Sequence, residues 1–408
     1  MDLAAVFQGK QALLYMERYV DEGARTYSSL AGQTEAAPRY RPERDTPAFE
    51  LVAVDAPRDR VSVFRADPSP GLLQHFVRPQ GVLFAVHPET WANDAVEGLG
   101  DIRALPRTMP IRVAPTASTR TVLALEHPEN VPGYFLKLHY PVRISRFNRE
   151  LRLKNIHNSV AVSRDLANLQ FEKFAYLPDT LGVAFRVNEK SWGFLVRETR
   201  ARPFAAGRFL IPCFALYAGD LNHPDASPLL VQMIDRMAAE PVSFVVDRIL
   251  APVVECWARA ARERGILLES HAQNTLLEID RDCVPRRVVH RDFDVWVDPG
   301  ARRRAGLGMP FLGRGMAADT DEAVRQHYSL VYDQFIGHHF FDYVAGVLKS
   351  HYGVDEEIVR ARVREVFHHA FPDADRLFPV RTMFKFRTES PPNRNVLLED
   401  MRQPPVWR

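Results

Sequence analysis

The chain has 408 residues, of which 46% are hydrophobic and 25% charged, values typical of a folded soluble protein; global disorder is excluded, and no disulfide or structural metal is needed to build a core. Its 53 basic and 51 acidic side chains leave a net charge of +2, which argues against a general nucleic-acid or membrane-surface binder. Cys213, Cys256 and Cys283 lie far apart, with no CxxC or zinc spacing.

Along the chain, the start lacks a basic segment followed by an apolar one, so no signal peptide is expected. Residues 34–48 are polar and Pro-containing and read as a loop. Val82 to Val86 is a strand candidate ending at His87-Pro88. Thr119 to Glu126 and Tyr134 to Ile144 read as a hairpin whose long loop carries Pro128, Pro132 and Gly133. A helix is expected from Ser227-Pro228 to about Ala239, and another from Pro241 to Arg264, stopped by Gly265. Ile266 to Ile279 and Arg287 to Asp298 read as a second hairpin. Helical periodicity returns over Asp321 to Ser350 and Asp355 to Phe371. The apolar run Phe209 to Ala218 is about half of what a membrane span needs, so a cytoplasmic protein is expected.

Period two over Tyr134 to Ser145 puts Tyr134, Leu136, Leu138, Tyr140, Val142 and Ile144 on one face. Lys137, His139, Arg143 and Ser145 fall on the other. The spacing predicts a helix from Arg146, capped by Ser145 and with Arg149 near its first turn, a ready anion site. Ser118, Arg120 and Thr121, at the start of the preceding strand, suit phosphate oxygens. In the second hairpin Glu269, His271, Gln273 and Thr275 share a face, with Asn274 opposite unless the strand bulges. Arg291 falls among Val289, Phe293, Val295 and Val297, and so needs a carboxylate or ligand partner. His290, Asp292 and Asp294 lie opposite, and such carboxylates beside an amide suit Mg2+. The plainer reading of each segment alone is a solvated strand or hairpin. Gly308 to Gly315 lacks the Lys and Ser/Thr of a P-loop and reads as a loop. His338 and Asp342 at helical spacing, and His368-His369, read as packed or surface side chains rather than metal ligands.

Taken in order, Ser118-x-Arg120-Thr121, Lys137-Leu138 with Ile144-Ser145 and Arg149, His271-Ala272-Gln273-Asn274, and Arg291-Asp292 resemble the motifs of the IucA/IucC family, the NRPS-independent siderophore synthetases. Ser145 stands for the usual Thr and Ala272 for the usual Gly, and the chain is shorter than is usual for that family at its N-terminal side. The resemblance implies an α+β cupped-hand fold, with a mixed or antiparallel sheet palm and a helical C-terminal lobe. It implies a shortened N-terminal lobe over 1–110, a central ATP-binding palm with two β-hairpins over 111–310, and a mostly helical lobe over 311–408. The implied reaction uses ATP and Mg2+ to adenylate a carboxylate, such as citrate or a derivative, and condenses it with an amine, hydroxylamine or alcohol. The implied partners are these small molecules and a second copy of the chain, with no nucleic acid and no membrane. The implied catalytic residues are Lys137, Arg149 and His271. ATP would contact Ser118, Arg120, Thr121, Lys137, Ser145, Gln273 and Asn274, and the metal Asp292 and Asn274. The alternative is a non-catalytic nucleotide- or carboxylate-binding relative.

Overall fold

Alternation between apolar and polar side chains builds a sheet with two unlike faces. The computed structural model describes residues 1–20, 34–42, 46–144, 147–187, 190–313, 320–387 and 397–408. Eight strands form one antiparallel sheet in the order Val61–Arg65, Asp179–Phe185, Trp192–Glu198, Tyr134–Leu138, Thr121–Ala124, Ile111–Pro115, Phe49–Ala56 and Val82–Val86. It takes strands from both sides of position 110.

Its outer face is apolar. Tyr134, Leu136 and Leu138 join Phe194, Val196, Leu181, Val183 and Phe76 in a buried cluster there. Residues directly opposite in antiparallel strands share a face. Lys137 pairs with Thr121 on one side and Leu195 on the other, and Asp179 pairs with Arg197. Those side chains therefore share the inner face. The helix Leu153–Leu166 crosses that face at one end, with Ile156 and Val160 packed on Ala184 and Leu195. Gly182 allows the approach, because a Cβ there would lie 2.5 Å from the Ile156 side chain.

A second sheet of four strands, in the order Phe209–Pro212, Thr275–Ile279, Pro285–His290 and Phe174–Tyr176, stands over the inner face. Its last pair is parallel and the others antiparallel. Leu276, Val289, Ala175 and Leu177 of this sheet meet Leu123 and Phe135 of the large one. Helices from Leu229 onward bury its far side around Trp257, Tyr332 and Phe367. The fold is thus α+β, with sheets at the centre and a helical C-terminal portion, as expected.

The expected helices form with local departures. The helix ending at Arg264 is closed by Gly265 at φ 61°, the left-handed cap its sequence indicates. Its middle, Val246–Leu250, widens to a π turn just before Pro252, whose missing N–H breaks the ordinary ladder. Leu330–Phe341 is also π-helical. There Gly337 lets the Trp407 ring sit where a Cβ would come within 2.8 Å. Among the described residues no helix is long and apolar enough to cross a membrane.

Two local expectations are corrected. The expected helix start at Arg146 lies outside the described residues, but the residues that should continue that helix do not: Phe147–Arg149 is a strand that folds back on Tyr140–Ile144, and the helix starts at Leu153. Arg149 pairs across to Tyr140, so the predicted helix N-terminus is not the anion site. Ser145 itself lies outside the described residues. The strand alternation expected over Glu269 to Thr275 also fails. Asn274 N–H and Thr275 N–H both donate to the His271 carbonyl, which makes a turn between the strands Ile266–Leu267 and Thr275–Ile279. The return strand stops at His290, and Asp292 takes φ 69°.

Candidate active site

The turn at Asp292 drops a carboxylate onto the polar inner face of the large sheet. Lys137 forms an ion pair with Asp292 Oδ1, and Arg197 Nη2 lies 3.8 Å from the same oxygen. Lys137 is 1% exposed and Asp292 26% exposed, so the pair sits at the floor of an opening. Burial alone would raise the Asp292 carboxyl, yet Lys137, Arg197 and Arg120 together hold it far below the usual carboxylate range. It is an anion at any working pH.

Arg120 and Arg149 join this cluster. Burial lowers both guanidinium pKa values, that of Arg149 to about 10; Arg120 feels Asp292 and Asp294, while Arg149 feels Arg120, Asp292 and Glu269. Arg149 remains charged at neutral pH. Arg120 is presented by a tight turn in which Thr119 has φ 61°, the Ser118 hydroxyl accepts from Thr121 N–H at 3.1 Å, and the Thr116 hydroxyl donates to the Thr121 carbonyl at 2.6 Å. Ser118 and Thr121 thus shape the turn that carries Arg120.

His271 faces the cluster from the second ribbon. Burial lowers its pKa to about 4, with Asp292 opposing and Arg291 and Arg149 adding to the shift, so the ring is neutral at pH 7. Its Nδ1 accepts from Gln273 N–H at 3.2 Å, which assigns the proton to Nε2 and makes that nitrogen a donor. The Phe335 ring of the helical portion stands edge-on to it at 5.8 Å. Arg291 is not a free cation. It pairs with Glu17 at 2.5 Å and donates to the Gln273 carbonyl at 2.8 Å, while its own N–H donates to the Asn274 carbonyl at 2.9 Å. The carboxylate partner required by the sequence is therefore Glu17.

Arg120, Lys137, Arg149, His271 and Asp292 thus converge, with Thr121 beside Lys137 and Gln273 and Asn274 on the adjoining turn. Both cations on Asp292 make their shortest approach to Oδ1, and among the described residues no hydrogen bond is made to Oδ2. One ionised carboxylate, with Asn274 on the adjoining turn, fits Mg2+, which keeps several waters and binds through one or two carboxylates plus phosphate oxygens. Among the described residues no group of three His, Cys, Asp or Glu side chains could cage a metal by itself. His338 pairs with Asp342 at 2.5 Å.

Sequence reasoning missed Arg197, Asp179 and Glu17. Arg197 was detectable as a lone cation in the apolar strand Trp192–Glu198; Glu17, far away in sequence, carried no such signal. Asp294 and Glu269 also face the site. The Asn155 amide donates to both Asp294 oxygens, at 3.1 and 2.9 Å. Burial, reinforced by Asp294 and Asp292, raises the Glu269 carboxyl to about 8. A cavity of about 810 Å³ lined by Phe171, Tyr176, Arg202 and Arg287 includes none of these groups. Its arginines are engaged: Arg202 with Glu198 at 2.9 Å and Arg287 with Glu278 at 2.5 Å.

Residues 30–218 match the IucA / IucC family model. That segment, a little under half of the chain, is similar to the IucA/IucC family. Residues 226–403 match a second model, described as ferric iron reductase FhuF-like transporter. No curated protein matches the chain. Solved structures of similar fold span both segments. Petrobactin biosynthesis protein AsbB from Bacillus anthracis str. Sterne is 17% identical, covers 89% of this chain and 68% of its own, and superposes with a TM-score of 0.67. ATP-bound aerobactin synthetase IucA from Klebsiella pneumoniae is 18% identical, covering 90% of this chain and 71% of its own, with a TM-score of 0.67. Aerobactin synthetase IucC from Klebsiella pneumoniae is 17% identical, with coverages of 95% and 73% and a TM-score of 0.67. A single fold, shared with these three structures, therefore spans both matched segments.

The buried imidazoles make a prediction for stability. Burial lowers His75 and His271 to about 4 and His87, His139 and His290 to about 3, from an ordinary 6.5. Neutral in the folded chain, they take up protons below about pH 6.5 only on unfolding. Stability is therefore retained above that pH and lost as pH falls from 6.5 toward 4, with a slope approaching ~1.4 kcal/mol per pH unit for each group. Glu269 acts oppositely, since its raised pKa costs stability as pH rises from 4.5 toward 8. The histidines outnumber it, so urea midpoints should fall between pH 7 and pH 5. A midpoint that stays level would show that these rings are not buried as neutral bases.

Proposed function

We propose that this chain is an ATP-dependent synthetase that activates a carboxylate as an acyl-adenylate and passes it to an amine, hydroxylamine or alcohol, in siderophore or related small-metabolite synthesis. The observation that carries the reading is the convergence of Arg120, Lys137 and Arg149, three cations from separate segments, on one opening that also holds an ionised Asp292 and a neutral His271. The shared fold with an ATP-bound synthetase supports it.

In the first step a carboxylate oxygen of the acid attacks the α-phosphorus of ATP. The bond to the β-phosphate oxygen breaks, and pyrophosphate leaves with the electron pair. Negative charge grows on the α-phosphate and the leaving group, and fixed cations in a partly dehydrated site stabilise that charge more than water would. Lys137 and Arg149 are assigned to the α-phosphate and the acid's carboxylate, and Arg120, with the Ser118–Thr121 turn, to the remaining phosphates. His271 donates from Nε2 to an anionic oxygen without adding a full charge. Gln273 and Asn274 position the nucleotide. Asp292 and Asn274 would hold Mg2+, whose chemistry is to neutralise charge shared by neighbouring phosphate oxygens. In the second step the nucleophile attacks the acyl carbon, the carbon–oxygen bond to AMP breaks, and AMP leaves. Holding both reactants in one cleft removes much of the entropic barrier.

The test incubates the protein with ATP, Mg2+, hydroxylamine and a panel of polycarboxylates that includes citrate. Acid-dependent pyrophosphate release is expected with at least one acid. Nucleotide binding without release for any acid would favour a non-catalytic binding relative instead.

A further inference from the structure

Beneath the cluster lies a buried charge pair that the proposed chemistry does not use. Arg197 grips Asp179 with two nitrogens, at 2.8 and 3.2 Å, and the two side chains are 4% and 0% exposed. They sit directly opposite each other on neighbouring strands, surrounded by the sheet and the helix Leu153–Leu166. As a stability device such a pair is poor: two well-packed apolar side chains in the same slots commonly do as well or better.

The geometry gives it another task. Arg197 spans two carboxylates, since the Nη2 that holds Asp179 also lies 3.8 Å from Asp292 Oδ1. Asp292 is a non-glycine residue at φ 69°, a conformation that persists only where the surroundings over-determine it. Two cations supply that determination, Lys137 from the neighbouring strand and Arg197 from below. Under the proposed function they are not equivalent. Lys137 must turn toward the phosphates, while Arg197, locked by Asp179, cannot follow.

We propose that Arg197, fixed by Asp179, is a positioning residue that keeps the Asp292 carboxylate aimed for the metal–nucleotide when Lys137 leaves it for the phosphates. The inference rests on the adenylation reading. It predicts that the pair governs metal-dependent nucleotide binding and leaves folding almost untouched.

The test replaces the pair with apolar side chains, Asp179→Leu with Arg197→Met, alongside the single variant Arg197→Lys. Calorimetry measures binding of a non-hydrolysable ATP analogue with and without Mg2+, and thermal melting reports stability. The double variant should melt at or above the wild-type temperature. It should bind the Mg2+ complex ~10-fold more weakly, as removal of a group that orients a metal ligand typically does, with the metal-free analogue little changed. Arg197→Lys keeps the charge without the fork, so it should fall between wild type and the double variant. It also provides the measurement should the double variant fail to fold. Mg2+-dependent affinity equal to wild type in whichever variant folds would overturn the proposal. Wild-type protein that binds no nucleotide would overturn the adenylation reading itself, and this inference with it.

Discussion

Lys137→Ala should lower acid-dependent pyrophosphate release by ~100-fold or more while the protein stays folded. Lys137 is the ammonium nearest Asp292, it is 1% exposed, and its register with Thr121 and Leu195 places it on the inner face, within reach of the opening. A preorganised donor aimed at developing charge is typically worth a factor of ~100–1000 in rate. The structural cost is smaller. Asp292 keeps Arg197 at 3.8 Å and is partly solvated, so its charge is not stranded. Burial disfavours the Lys137 ammonium, and removing it recovers that desolvation. A loss of about 1–2 kcal/mol in stability is expected from denaturant melts. Unchanged release in a folded Lys137→Ala protein would take Lys137 out of the chemistry.

Glu17→Ala should be the more damaging change to the fold. Glu17 is 1% exposed and pairs with Arg291, itself 8% exposed, and its other oxygen accepts from Ala117 N–H at 3.3 Å. Truncation leaves a buried guanidinium uncompensated and a backbone donor unpaired, which costs ~3–5 kcal/mol. Arg291 also holds the Gln273 and Asn274 carbonyls, so the turn carrying His271 should loosen, and nucleotide affinity should fall with stability. Glu17→Gln keeps both hydrogen-bonding oxygen and shape and should lose less. If Glu17→Ala unfolds at the wild-type urea concentration, the Arg291 anchor has been misread.

Where a segment repeated one local pattern, its structure was legible. Val82–Val86 is a strand with the bounds its sequence indicates, and Tyr134, Leu136 and Leu138 do share an apolar face opposite Lys137. Gly265 ends its helix as expected. The errors arose where the backbone changed hand. The left-handed residues Thr119 and Asp292 and the turn at His271 reset the alternation that assigns side chains to faces. The strand Phe147–Arg149 replaced a helix because its pairing with Tyr140–Ile144 satisfies backbone groups that a cap residue alone does not.

The amino-acid order by itself determined which residue types were available to the site: an Arg in a Ser/Thr turn, a Lys inside an apolar strand, a His two residues before an amide pair, and an Arg-Asp step. Spacing along one strand or one helix is a local property, and local sterics enforce it. Only the folded chain decided that Asp292 rests on Lys137 and Arg197, that Asp179 locks Arg197, and that Glu17 neutralises Arg291. Those pairings join positions up to 274 residues apart. Such a partner is selected by which buried charge would otherwise go uncompensated, and that energy exists only once two sheets have closed over the same space.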